Sequence, residues 1–159
     1  MNAKNKSYLS LILWVAALVL IGALIGSLTK ADISDWYKHL SRSPLTPPNY
    51  IFPIAWTILY AIIGACGWLI WCMPEAPESN LVKTLYAMQL SLNWSWTSLF
   101  FHYHLTGVSL IVLVFMDIAV SMIIYVEYAR NRLVSLLMIP YLLWIVFATY
   151  LNFYIWYYN

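Results

Sequence analysis

The stretch Tyr8–Thr29, YLSLILWVAALVLIGALIGSLT, runs for 22 residues without a charged side chain. As a helix it rises about 33 Å, enough to cross the hydrocarbon core of a bilayer. It is too long for the apolar core of a signal peptide and lacks a small-residue cleavage site after it, so it reads as a retained helix. Four further apolar runs follow at Ile51–Cys72, Val82–Phe101, Leu105–Tyr125 and Leu133–Tyr157. Hydrocarbon offers exposed peptide groups no partner, so each run is expected to close its own hydrogen bonds as a spanning helix. The fold class is an all-α integral membrane protein, a five-helix transmembrane bundle forming one domain over residues 1–159.

Composition agrees. Hydrophobic residues make up 64% of the 159 residues and charged residues only 9%, against about 25% charged in soluble domains. Eight Lys and Arg with six Asp and Glu cannot give a globule a polar skin. That excludes a soluble enzyme, and the hydrophobicity excludes disorder. A net charge of +2 from scattered basic residues leaves no nucleic-acid footprint. Cys66 and Cys72 sit about 9 Å apart along a helix axis, beyond disulfide reach.

The connections are short except for the first loop, residues 30–50. Pro44, Pro47 and Pro48 fix φ and remove donors, so this loop is expected to be stiff and extended. Ile33–Leu40 before them is expected as a short interfacial helix capped by Ser34. Lys4, Lys6, Lys83, Arg130 and Arg132 fall on the N-terminal side, and Lys30, Lys38 and Arg42 on the other. The imbalance leans toward a cytoplasmic N-terminus in a cell membrane; an outer or organellar membrane would remove that basis.

Two kinds of residue stand out inside the runs. Gly22 and Gly26, like Ala61 and Ala65, have the small-residue spacing that lets helices approach closely, within the chain or between copies. The aromatics combine with amides on single helix faces: Trp56 with Tyr60 and Gly64; Gln89, Asn93, Trp96 and Phe100; Tyr141, Trp144, Ala148, Leu151 and Asn152. Lipid disfavours such amides, so these faces are expected to point at one another. They either pair as helix adhesive or line an aromatic pocket with a few polar anchors. Asp117, alone among carboxylates well inside a run, is expected to sit against an amide; Glu127 belongs near the water interface. His102 and His104 fall short of a metal-ligand set, so no metal is expected. No arrangement for hydrolysis or phosphoryl transfer is present, and a required cofactor is not expected.

The order of residues adds more. The stretch from Trp36 to Pro48, WYKHLSRSPLTPP, continues in Phe52 and Trp56–Tyr60, WTILY. It recurs in Gln89–Trp96, QLSLNWSW, and in Pro140–Asn152, PYLLWIVFATYLN. These four motifs resemble, in order and over nearly the whole chain, the TspO or translocator protein family of tryptophan-rich sensory proteins and peripheral-type benzodiazepine receptors. The resemblance implies a five-helix bundle, commonly a homodimer. It also implies a pocket beneath the first loop for porphyrins or haem, for sterols in animal members, and for isoquinoline or benzodiazepine drugs. Carried over by motif, the pocket residues are Trp56, Asn93, Trp96, Trp144 and Ala148, joined by Tyr60 and Phe100 from the same faces. Lys38 and Arg42, beside Pro47 and Pro48, are expected to meet porphyrin carboxylates, Arg being the better fork.

Some members are described as degrading bound protoporphyrin in light, which would give Trp56 and Trp144 a chemical role. Transport of a tetrapyrrole or sterol is a further alternative, though neither broken helices nor charges along a path support it. The family's animal sterol stretch ends on a basic residue, whereas Leu151–Asn159 has none. That departure points to a bacterial cell membrane rather than to sterol binding.

Overall fold

The computed structural model describes residues 8–29 and 36–159. Five helices account for most of them: α1 (Tyr8–Leu28), α2 (Ile51–Cys72), α3 (Ser79–Thr97), α4 (Thr106–Arg130) and α5 (Arg132–Tyr158). No strand occurs among the described residues. Four of the helices, α1, α2, α4 and α5, are long and apolar enough to cross a membrane. The third helix differs from its expected bounds. It begins at Ser79, whose hydroxyl accepts the Ala76 N–H at 2.9 Å, and gives way after Thr97 to a π-helical turn, Ser98–His102.

The fourth helix continues five residues past Tyr125. Its last turn holds Glu127, which is fully buried within the bundle, with Arg130 reaching back to it at 3.0 Å. Arg130 also donates to Ser79 at 2.8 Å, tying the ends of α4 and α3 together. Asn131 then ends α4 with an extended backbone and caps α5, its side chain accepting the Leu133 N–H at 3.2 Å. In the first loop, Ser34 and its neighbours lie outside the described residues. The described part of the expected Ile33–Leu40 helix holds a 3-10 turn, Tyr37–His39.

Around the bundle α1 packs on α2, α2 on α5, α5 on α4 and α4 on α3, and α3 closes against α2 and α1. The apolar core holds Ile63, Met116, Val120, Ile123, Met138 and Ile145, all fully buried. Glycines bring α1 onto α2. A Cβ at Gly64 would stand 2.9 Å from the Val15 backbone, and one at Gly22 would overlap the Tyr60 ring. Gly26 has nothing packed against it, so the two glycines of the α1 pair do different work.

A polar chain crosses this core. The Tyr60 hydroxyl donates to Asn93 Oδ1 at 2.5 Å, Asn93 Nδ2 donates to the Tyr141 hydroxyl at 3.1 Å, and that hydroxyl donates to Gln89 Oε1 at 2.8 Å. The chain joins α2, α3 and α5 at one level, with Gln89 0% and Asn93 2% exposed. The amides therefore point inward as their helix faces require. Hydroxyls elsewhere on α3 fold back on their own helix, Ser91 to the Ala87 carbonyl and Ser95 to that of Leu92. Two buried donors on this helix, Gln89 Nε2 and Trp94 Nε1, are left without an acceptor.

Two outcomes follow. Gly22→Ala is expected to lower stability in detergent unfolding by about 1–3 kcal/mol, the range for overpacking, while Gly26→Ala leaves it unchanged or slightly raised. A double-mutant cycle between Tyr60→Phe and Asn93→Ala is expected to give a coupling of about 0.5–2 kcal/mol, the range for interhelical hydrogen bonds; additive losses would contradict the bond.

Candidate ligand site

The direction of each helix determines what lies above the polar chain. Helix α2 starts at the first loop, while α3 and α5 run toward it. One helical turn closer to the loop than Tyr60 lies Trp56; one turn closer than Asn93 lies Trp96; one turn closer than Tyr141 lies Trp144. Three tryptophans from three helices thus form a layer between the Tyr60–Asn93–Tyr141–Gln89 floor and the loop. All three are half-buried. Trp56 leans on Tyr60 with ring centres 5.6 Å apart. Trp144 meets Phe52 of α2 edge-on at 6.1 Å, and Ala148, half-buried one turn further along α5, packs against the same core. In the floor, Gln89 Nε2 has no acceptor.

Trp96 belongs to a second group of contacts. Its indole N–H donates to Asn152 Oδ1 at 3.1 Å, an oxygen shared with the Ser109 hydroxyl at 3.0 Å, and Asn152 Nδ2 donates to the Thr106 carbonyl at 2.8 Å. The Trp96 ring stacks on Phe100 at 5.5 Å. Among the described residues no direct ring contact joins Trp56, Trp96 and Trp144 to one another. The structure groups Trp56, Tyr60, Phe52 and Trp144 between α2 and α5, and Trp96, Phe100 and Asn152 where α3, α4 and α5 meet.

The first loop is fastened over this layer at several points. Tyr37 is buried between Phe100 and Phe101, at 6.2 and 5.6 Å, and packs with Ile155 of α5. Trp36 stacks on His104 at 4.1 Å. The Ser43 and Tyr150 hydroxyls lie 2.9 Å apart. Asn159 pairs with the Ser41 backbone in both directions, accepting its N–H at 2.8 Å and donating to its carbonyl at 3.1 Å.

The π-helical turn makes the first of these contacts available. Its wider spacing, with the Tyr103 N–H reaching the Ser98 carbonyl at 3.0 Å, is followed by His104 in the left-handed region at φ 56°. Pro44 opens a turn in which the Thr46 N–H bonds to the Ser43 carbonyl at 2.9 Å, and Pro48 opens another to Ile51 at 3.0 Å.

The loop surface carries an open depression of about 560 Å³ lined by Leu40, Arg42, Ser43, Thr46, Pro47, Pro48 and Asn49. Arg42 is exposed, its guanidinium 5.3 Å from the Tyr37 ring centre. Burial raises the Tyr37 phenol above its ordinary pKa while Arg42 pulls the other way. Arg42 thus holds its guanidinium over that ring and at the edge of the depression. Lys38 stands exposed on the 3-10 turn, outside that lining.

Sequence reasoning missed the fastening residues. Ser43 before Pro44 is a turn signal, but nothing in the sequence marks Tyr150 as its partner or Asn159 as that of Ser41. Asp117 finds the Thr149 hydroxyl at 2.8 Å instead of an amide.

Comparison with known proteins places this architecture. Residues 14–157 match the TspO/MBR family. The chain is 36% identical over 145 residues to the tryptophan-rich protein TspO of Archaeoglobus fulgidus, covering 91% of this chain and 94% of that one. It is 33% identical to the protein of the same name from Chlorobaculum tepidum, over 94% and 95% of the two chains. To the human translocator protein it is 30% identical, over 86% and 82%. With four apolar helices long enough to span and relatives that include a bacterial protein, it is a multi-pass integral membrane protein, and a bacterial membrane is the location these support. The chain belongs to the TspO/MBR family.

Proposed function

We propose that this protein is a membrane receptor or sensor that binds tetrapyrroles, porphyrin or haem, and drug-like hydrophobic ligands in the aromatic layer beneath the first loop. In this reading α3 is the fifth span, its amides turned to the floor and its serines bonded to their own helix. A homodimer is part of the same reading, and Gly26, open to close approach, offers it a surface.

The observation that carries the reading is the stacking of three levels. A hydrogen-bonded floor lies lowest, Trp56, Trp96 and Trp144 form the layer one turn above it, and the fastened loop with Arg42 is the roof. A porphyrin is a flat π-system with anionic propionates. Indole rings suit its faces and edges, and a guanidinium suits its carboxylates through two parallel hydrogen bonds. The half-buried tryptophans between α2 and α5 leave the layer accessible from the side. Lys38 adds positive charge near the mouth, and Pro47 and Pro48 stiffen the wall that a carboxylate would meet.

Protoporphyrin titrated into the protein in lipid nanodiscs, followed by tryptophan quenching, tests this directly. The double variant Trp56→Phe with Trp144→Phe is expected to bind at least tenfold more weakly; unchanged affinity would remove the assignment. Arg42→Ala is expected to weaken protoporphyrin several-fold while leaving its dimethyl ester unaffected. Equal losses for acid and ester would deny Arg42 its carboxylate.

A further inference from the structure

Asp117 lies midway along α4, about 17 Å of helix from Thr106 and about 20 Å from Arg130, at the depth of the acyl chains. Its Oδ2 accepts the Thr149 hydroxyl at 2.8 Å, and its Oδ1 is enclosed without a partner. The residue lines an open depression of about 410 Å³ on the outside of α4, together with Ile118, Ser121, Met122 and Tyr125. Asp117, Ser121 and Tyr125 follow one another at every fourth position and so share a helix face. Phe115, Ile118 and Met122 are exposed beside them, so this face looks onto lipid. Neither α4 nor α5 carries a Lys or Arg between 106 and 129 or between 133 and 158, so these helices offer Asp117 no cation at its own depth.

A carboxyl group at that depth is costly unless it is paired, and Thr149 satisfies one oxygen only. We propose that the depression is a binding site for a lipid-dissolved amine. The ammonium group meets the Asp117 carboxylate, whose enclosed Oδ1 turns out to the depression to receive it; Ser121 and Tyr125 border the polar side, and the alkyl body lies along Ile118 and Met122. Charge complementarity selects the ligand: in a medium of low dielectric an ion pair is far stronger than in water. The walls supply apolar contact but no second charge, which suits a single cationic head on a greasy chain. The site faces lipid rather than the tryptophan layer, so it stands apart from the proposed tetrapyrrole site.

The test uses the full chain in phosphatidylcholine nanodiscs, with binding of radiolabelled dodecylamine compared with N-acetyldodecylamine. Asp117→Asn keeps an acceptor for Thr149 and removes the charge. Wild type is expected to bind dodecylamine saturably, and Asp117→Asn at least tenfold more weakly. The neutral N-acetyl analogue is expected to bind wild type at least tenfold more weakly than the amine, a comparison that needs no variant. Equal affinity for amine and N-acetyl compound, or equal affinity in the two proteins, overturns the proposal. So does a loss of self-association in Asp117→Asn with no saturable amine binding by either protein, which would assign the face to a second copy.

Discussion

An amide carried into the middle of a membrane helix must be bonded, and Asn93 is bonded on both sides, to Tyr60 of α2 and Tyr141 of α5. That requirement fixes how three helices sit around one another. In hydrocarbon there is no hydrophobic drive to bring helices together, so hydrogen bonds and close small-residue contacts carry much of the association. With Tyr60, Asn93 and Tyr141 at one level, the residues one turn toward the loop are brought to a common level too, and all three are tryptophans. The glycine at 22 belongs to the same arrangement, since it leaves room for the Tyr60 ring that reaches Asn93.

The second constraint is the loop. A long connection with three prolines has few backbone donors of its own to order it, and here it is held by side chains from elsewhere. Tyr37 sits among the aromatics of the π-helical turn, Ser43 touches Tyr150, and Ser41 pairs with Asn159. These anchors come from the π-helical turn and from the last turns of α5, so they reference the roof to α3 and α5. At the far end of the bundle the buried Glu127 with Arg130 and Ser79 plays a comparable part, joining helix ends where the connections are short.

How much of this the sequence discloses follows from which forces are local. Apolar run length and the need to close backbone hydrogen bonds make the helices legible, within a few residues at their ends. The inward direction of Gln89, Asn93 and Asn152 is legible because lipid rejects amides. Their partners are not, because Tyr141 for Gln89 and Asn93, or Ser109 for Asn152, depends on helix rotation that periodicity does not set. A π-helical turn leaves no compositional trace, so the apolar run through Phe101 does not disclose where the α-helix gives way, and nothing in the sequence foretells that Arg130 reaches back to Glu127. The split of Gly22 from Gly26 is likewise a fact of packing: both have the same spacing, and only one has a ring lying on it.

The most direct measurement is an experimental structure of the protein in lipid with protoporphyrin bound. The account predicts the macrocycle in the layer of Trp56 and Trp144, above the Tyr60–Asn93–Tyr141 level, with a carboxylate within hydrogen-bonding distance of Arg42. A macrocycle resting on the outer, lipid-facing surface of the helices, with the tryptophan layer closed and unoccupied, would contradict it.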